Sequence, residues 1–166
     1  MKIFLFIGTF LLSTLCFSQS FDENDSKSVT IITTMDSLSF YTNKYRDISK
    51  TMKVTNCKSM RVSYVYLNGK VLSPERMNSM REKIIADYKS GKSFADLANE
   101  NTMDNSKDGD LGWFEEGMMV KVFEDEIKRH KKGDIFTVDI PENNWYYVVL
   151  KTYDDVKKIK FEITLK

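Results

Sequence analysis

The run Arg61-Val-Ser-Tyr-Val-Tyr-Leu67 constrains this chain more than any other stretch. Its β-branched and aromatic residues fit a pleated strand, and it ends at Asn68-Gly69, a pair suited to a tight turn. We read it as the central strand of a sheet. Ser73-Pro74-Glu75-Arg76 then supplies a capping serine and a proline at the first helical position. In the helix that follows, Met77, Met80, Ile84 and Tyr88 line one face and Gly91 stops it. Ser93 opens a second, short helix, with Phe94, Leu97 and Ala98 facing inward.

Residues 101 to 112 show no periodicity and read as loop, rich in Asp, Asn, Ser and Gly. A third helix is expected from about Met118 to Lys132, with Met119, Phe123 and Ile127 one turn apart. Ile135 to Ile140 and Asn144 to Tyr153 read as two strands joined by Pro141-Glu142-Asn143. Ile159, Phe161, Ile163 and Leu165 alternate with polar residues in one more half-buried strand. Upstream, Ser28 to Thr55 reads as a short strand followed by a helix carrying Leu38, Tyr41, Tyr45 and Ile48. The order makes the fold α+β: a small antiparallel sheet flanked by three to four helices, with a short amino-terminal strand-helix extension.

The first residues, MKIFLFIGTFLLSTLCFSQS, combine one Lys, an apolar run too short to anchor in a bilayer and a small-residue exit. They read as a signal peptide over residues 1–18, before an extension over 19–59 and a main domain over 60–166. An exported protein follows, placed in the periplasm or cell envelope of a bacterium or secreted, with no transmembrane anchor once the signal is removed. Lipidation at Cys16 is disfavoured by the bulk of Leu15 before it.

Beyond that segment Cys57 is the one cysteine, and His130 is the one histidine of the chain, so neither a Cys/His nucleophile nor a Cys/His metal site is expected. No cofactor is expected either. Twenty-five Lys and Arg stand against 24 Asp and Glu; removing Lys2 with the signal leaves a balanced chain with no bulk attraction for nucleic acid.

The stretch from Gly91 to Ile140, GKSFADLANENTMDNSKDGDLGWFEEGMMVKVFEDEIKRHKKGDIFTVDI, resembles the parvulin-type peptidyl-prolyl cis/trans isomerases. That family carries a G-x-x-F-x-x-L-A helix, an acidic or Ser-rich loop, a G-D-L-G-W/F-F turn and a G-x-M-x-x-x-F-E helix. The resemblance implies isomerisation of X-Pro bonds in unfolded or extended Pro-containing polypeptides, with Leu111, Met119, Phe123 and Trp113 around the substrate proline. It also implies a role for Asp104, in the context Thr102-Met103-Asp104, with Asp108 as an alternative alignment.

Two departures stand out. Where the family has one His in the first strand and one in the last, this chain has Tyr64 and Tyr147, with Tyr146 as an alternative to the latter. We expect the two Tyr hydroxyls to bond to one another in place of the imidazoles. His130 sits near a helix end, where the helix dipole suffices to explain it. A catalytically weak peptide-binding chaperone module is the competing reading. Only Lys70 follows the first strand where a phosphate-reading cluster would stand, so phosphorylated Ser-Pro or Thr-Pro is not an expected substrate.

Overall fold

The structure, a computed structural model, describes residues 28–165. The expected signal peptide, Cys16 and the polar stretch 19–27 lie outside the described residues. The chain divides into two compact units, one formed by the residues up to Asn56 together with those from Lys158 onward, the other by Cys57–Lys157. The tail therefore groups with the amino-terminal extension, whereas the sequence reading assigned it to the main domain. The reason is a long-range pairing that no local pattern announces.

In the first unit β1 (Ser28–Thr33) runs antiparallel to β6 (Val156–Leu165), with Ile31 opposite Phe161 and Val29 opposite Ile163. Ile31, Phe161 and Ile163 are buried, and Leu38, Tyr41 and Tyr45 of α1 (Leu38–Tyr45) pack against them with Met52. Alternation in the tail buries Ile159, Phe161 and Ile163 as expected. Ile48, expected on the helix face, lies past the end of α1 and is exposed.

The strand β2 (Ser49–Asn68) begins in the first unit and ends in the second, and is far longer than its apolar half suggests. In the second unit its distal part sits between β3 (Asp110–Glu115) and β5 (Trp145–Lys151), and β5 pairs in turn with β4 (Ile135–Ile140). All these pairings are antiparallel. Alternation sends Met60, Val62 and Tyr64 to one face of the sheet and Val65 and Leu67 to the other.

α2 (Pro74–Lys89) and α3 (Phe94–Asn101) cover the Val65 face through Met77, Ile84, Phe94, Leu97 and Ala98. Ser73 caps α2, its Oγ accepting from the Arg76 N–H at 3.3 Å. Among the described residues the opposite face receives one helix, α4 (Lys121–Arg129), through Phe123 and Ile127. This helix is shorter at both ends than the expected span. Buried Glu124 accepts the N–H groups of Gly117 and Met119 at 2.8 to 3.0 Å, folding the preceding residues into a turn. Met119 therefore precedes the helix.

Candidate active site

Glycine and aspartate made residues 108 to 112 look like a turn, yet Asp110–Glu115 is a strand hydrogen-bonded to β2. Between the pairs Arg61↔Trp113 and Ser63↔Asp110, Val62 faces two residues, Leu111 and Gly112. That extra residue is a bulge, and Gly112 supplies the positive φ of 73° there. Leu111 and Phe114 consequently share the α4 face, where Phe114 is buried and Leu111 packs against the core.

Trp113 is turned to the other side. It is 44% exposed and lies 5.4 Å from Tyr153, whose ring also carries the Arg61 guanidinium at 5.2 Å. Trp113 thus does not line the hollow with the other expected substrate-binding residues, and the bulge is the reason. Arg61 in turn binds Asp110 through two hydrogen bonds of 3.1 and 2.5 Å, holding that carboxyl below its usual range and fixing the start of β3.

Past Ser63 the loop takes over the edge of β2 from β3. Tyr64 N–H donates to the Gly109 carbonyl at 2.8 Å, Tyr66 N–H to Thr102 Oγ1 at 3.2 Å, and Met103 N–H to the Tyr66 carbonyl at 2.9 Å. Gly109 is pressed so closely to the strand that a Cβ would stand 2.4 Å from the Tyr64 carbonyl oxygen and 2.7 Å from Ala98 Cβ. Its φ of +64° adds a second requirement for glycine.

This pinning brings Asp104 beside Tyr64. Six of the seven residues named from sequence, Tyr64, Asp104, Leu111, Met119, Phe123 and Tyr147, line one hollow of about 160 Å³ together with Val120, Ile140 and Trp145. A dry cavity of about that size in a protein core admits a benzene ring, so a five-membered ring fits. Trp145 was missed, although its place two residues before Tyr147 on one strand puts both on one face. Asp108 is excluded as the alternative to Asp104: it exchanges hydrogen bonds with Asn99, at 2.8 Å each, away from the hollow. Tyr146 is likewise excluded, packing under Arg81 on the opposite face.

The Tyr64 hydroxyl donates to Asp104 Oδ2 at 2.8 Å, which overturns the expected Tyr-to-Tyr bond. The two rings meet edge to face at 5.9 Å, as diagonal neighbours on β2 and β5, and Phe123 closes on Tyr147 at 5.2 Å. Asp104 Oδ1 also accepts from Thr102 Oγ1 at 2.8 Å, Ser106 N–H at 3.1 Å and Ser106 Oγ at 2.7 Å. Partial burial favours the neutral acid, but the bonds from Ser106, Thr102 and Tyr64 outweigh it and hold the carboxyl below its usual range. Burial pushes the Tyr147 hydroxyl up to about 12, with Tyr66, Tyr64 and Asp104 adding to it. Tyr64 is raised for the same first reason. The site therefore presents one carboxylate and neutral phenols at the lip of an apolar hollow.

His130 stands at the carboxy-terminal cap of α4, stacked on Phe136 at 3.7 Å between Glu126 and Asp134. It has no part in the hollow. Among the described residues no group of His, Cys, Asp and Glu is arranged to hold a metal ion.

Residues 46–154 match the family model described as the PpiC-type PPIase domain. Among curated relatives, Cbf2 of Campylobacter jejuni is 38% identical over 73 residues, covering 42% of this chain and 27% of that one. The foldase protein PrsA of Bacillus subtilis is 36% identical over 91 residues, covering 49% and 31%. The chain thus spans about a third or less of the length of these relatives. Among solved structures, the peptidylprolyl isomerase PrsA of Bacillus anthracis superposes with a TM-score of 0.48 at 28% identity, over 58% of this chain and 42% of that one.

Proposed function

This chain belongs to the PpiC-type peptidyl-prolyl cis/trans isomerase family, and on that premise we propose that it turns X-Pro bonds in unfolded or extended segments of exported proteins. The observation that carries the reading is the convergence of Leu111, Met119, Phe123 and Tyr147 on a ring-sized hollow with Asp104 and Tyr64 at its lip.

The chemistry asks for little. No covalent bond breaks when an X-Pro peptide isomerises; the barrier of about 20 kcal/mol is the loss of amide conjugation. A planar amide is more dipolar than a twisted one and is better stabilised by water. Seating the pyrrolidine ring against apolar walls removes that water and lowers the cost of twisting. The Asp104 carboxylate near the carbonyl oxygen opposes the charge that oxygen carries in the planar form and relaxes as the bond turns. Lowering the barrier by about 4 kcal/mol gives roughly a thousandfold acceleration.

Export is supported by the charge, apolar run and small-residue exit of the first twenty residues. No helix among the described residues is long and apolar enough to cross a membrane. The experiment is a protease-coupled Pro isomerisation assay on the purified protein. Acceleration that Met119→Ala or Phe123→Ala removes supports catalysis. Peptide binding without acceleration supports the chaperone-module reading, which the two Tyr at the histidine positions favour.

A further inference from the structure

We propose that Thr102 and Ser106 are positioning residues that clamp Asp104 as a carboxylate with one oxygen held away from the hollow's contents and the other presented to them. The inference rests on the isomerase reading for its kinetic consequence and on geometry for its substance.

Asp104 accepts four hydrogen bonds, and they are unevenly shared. Oδ1 takes three, from Thr102 Oγ1, Ser106 N–H and Ser106 Oγ. Oδ2 takes one, from the Tyr64 hydroxyl. A carboxylate oxygen has about two lone-pair directions, so Oδ1 is saturated while Oδ2 keeps capacity for one further donor. The Thr102 hydroxyl does two jobs, accepting from Tyr66 N–H on β2 and donating to Asp104. Its single hydrogen is thereby committed to Oδ1, and the carboxylate plane is tied to the strand that carries Tyr64.

The titratable groups facing Asp104 are Tyr64 and Tyr66 from β2 and Tyr147 from β5. None is a cation, and no ion pair involving Asp104 occurs among the described residues. Hydrogen bonds rather than ion pairing therefore account for the lowered titration of this carboxyl. Ser106 and Thr102 lead the influences that lower it against burial.

The sign follows from that depression. The carboxylate form is lost as pH falls through the folded-state value, and removing a donor raises that value, so the acid limb of the rate profile moves to higher pH. The test compares the full protein with its Thr102→Val, Thr102→Ser and Ser106→Ala variants. Two readings are taken: kcat and KM against pH on an Ala-Leu-Pro-Phe peptide, and the Asp104 carboxyl titration by carbon NMR.

We expect Thr102→Val and Ser106→Ala each to move both the acid limb and the carboxyl titration upward. Plateau kcat should fall about tenfold with KM within about twofold, and Thr102→Ser should restore both readings. Ser106→Ala leaves the Tyr66 N–H contact untouched, so it decides the matter if Thr102→Val fails to fold. An unmoved carboxyl titration in both Thr102→Val and Ser106→Ala overturns the proposal. A moved titration in a protein that accelerates no peptide upholds the clamp and removes the isomerase reading instead.

Discussion

The two faces of the sheet in the Cys57–Lys157 unit start from the same strand and end differently. Val65 and Leu67 look toward two helices of 16 and 8 residues, and their side of the sheet is closed by Met77, Ile84, Phe94 and Leu97. Met60, Val62 and Tyr64 look toward a single helix of 9 residues. That helix covers the face through Phe123 and Ile127 and leaves Tyr64 and Tyr147, at the end beside buried Ile140, only partly covered. Both sides of the strand carry a buried core, but the second also leaves a site at one end, and the difference is the length of helix laid across it.

This contrast can be broken from the closed side first. Leu97 is 1% exposed, so Leu97→Ala should cost about 3 kcal/mol of stability in urea unfolding, while activity per folded molecule stays unchanged. A comparable fall in activity at full folding would mean that the faces are not independent. On the open side Met119 is only partly buried. Met119→Ala should lower kcat/KM about thirtyfold, with a stability loss of less than about 1.5 kcal/mol. The ratio of the two effects should thus invert between the faces.

Tyr64→Phe removes one hydrogen bond to Asp104 and keeps the ring. About a tenfold drop in kcat/KM is expected, together with an upward move of the Asp104 titration measured by NMR. Because the Asp104 carboxyl is held below its usual range, the wild-type rate should stay level as pH drops through the ordinary carboxylate region and decline only beneath it. With Tyr147 pushed up to about 12, no alkaline loss from that phenol is expected near pH 10, where free tyrosine ionises. Tyr147→Phe should be the mildest change, about twofold in kcat. Its hydroxyl makes no hydrogen bond to the described residues, and its packing on Tyr64 and Phe123 survives the substitution.

Much of this was legible in the chain itself. The runs RVSYVYL and SPERMNSMREKIIADYKSG declare a strand and a helix by residue type and period, and the structure keeps both. The hollow's wall was legible through family resemblance: helical spacing links Met119 with Phe123, but no local rule links either to Leu111. Trp113, placed beside the proline by the resemblance alone, lies on the other side of the sheet because a bulge at Leu111 and Gly112 puts Phe114 on the Leu111 face in its stead. The start of α4 was misplaced because a carboxylate buried seven residues downstream folds Gly117 to Met119 into a turn, a tertiary effect invisible to periodicity. The grouping of the tail with the amino-terminal segment rests on pairing between residues about 130 positions apart, which only the folded chain reveals.

The two glycines of the bend face different evolutionary constraints. At position 112 a side chain would meet nothing within 4 Å, so the obstacle is backbone shape alone, and asparagine or aspartate, which tolerate such shapes, can stand in. At position 109 both shape and room forbid any replacement. Sequences descended from a common ancestor with this one should drift at 112 and stay invariant at 109, which makes the second glycine the surer marker by which kindred chains can be told apart from chance lookalikes.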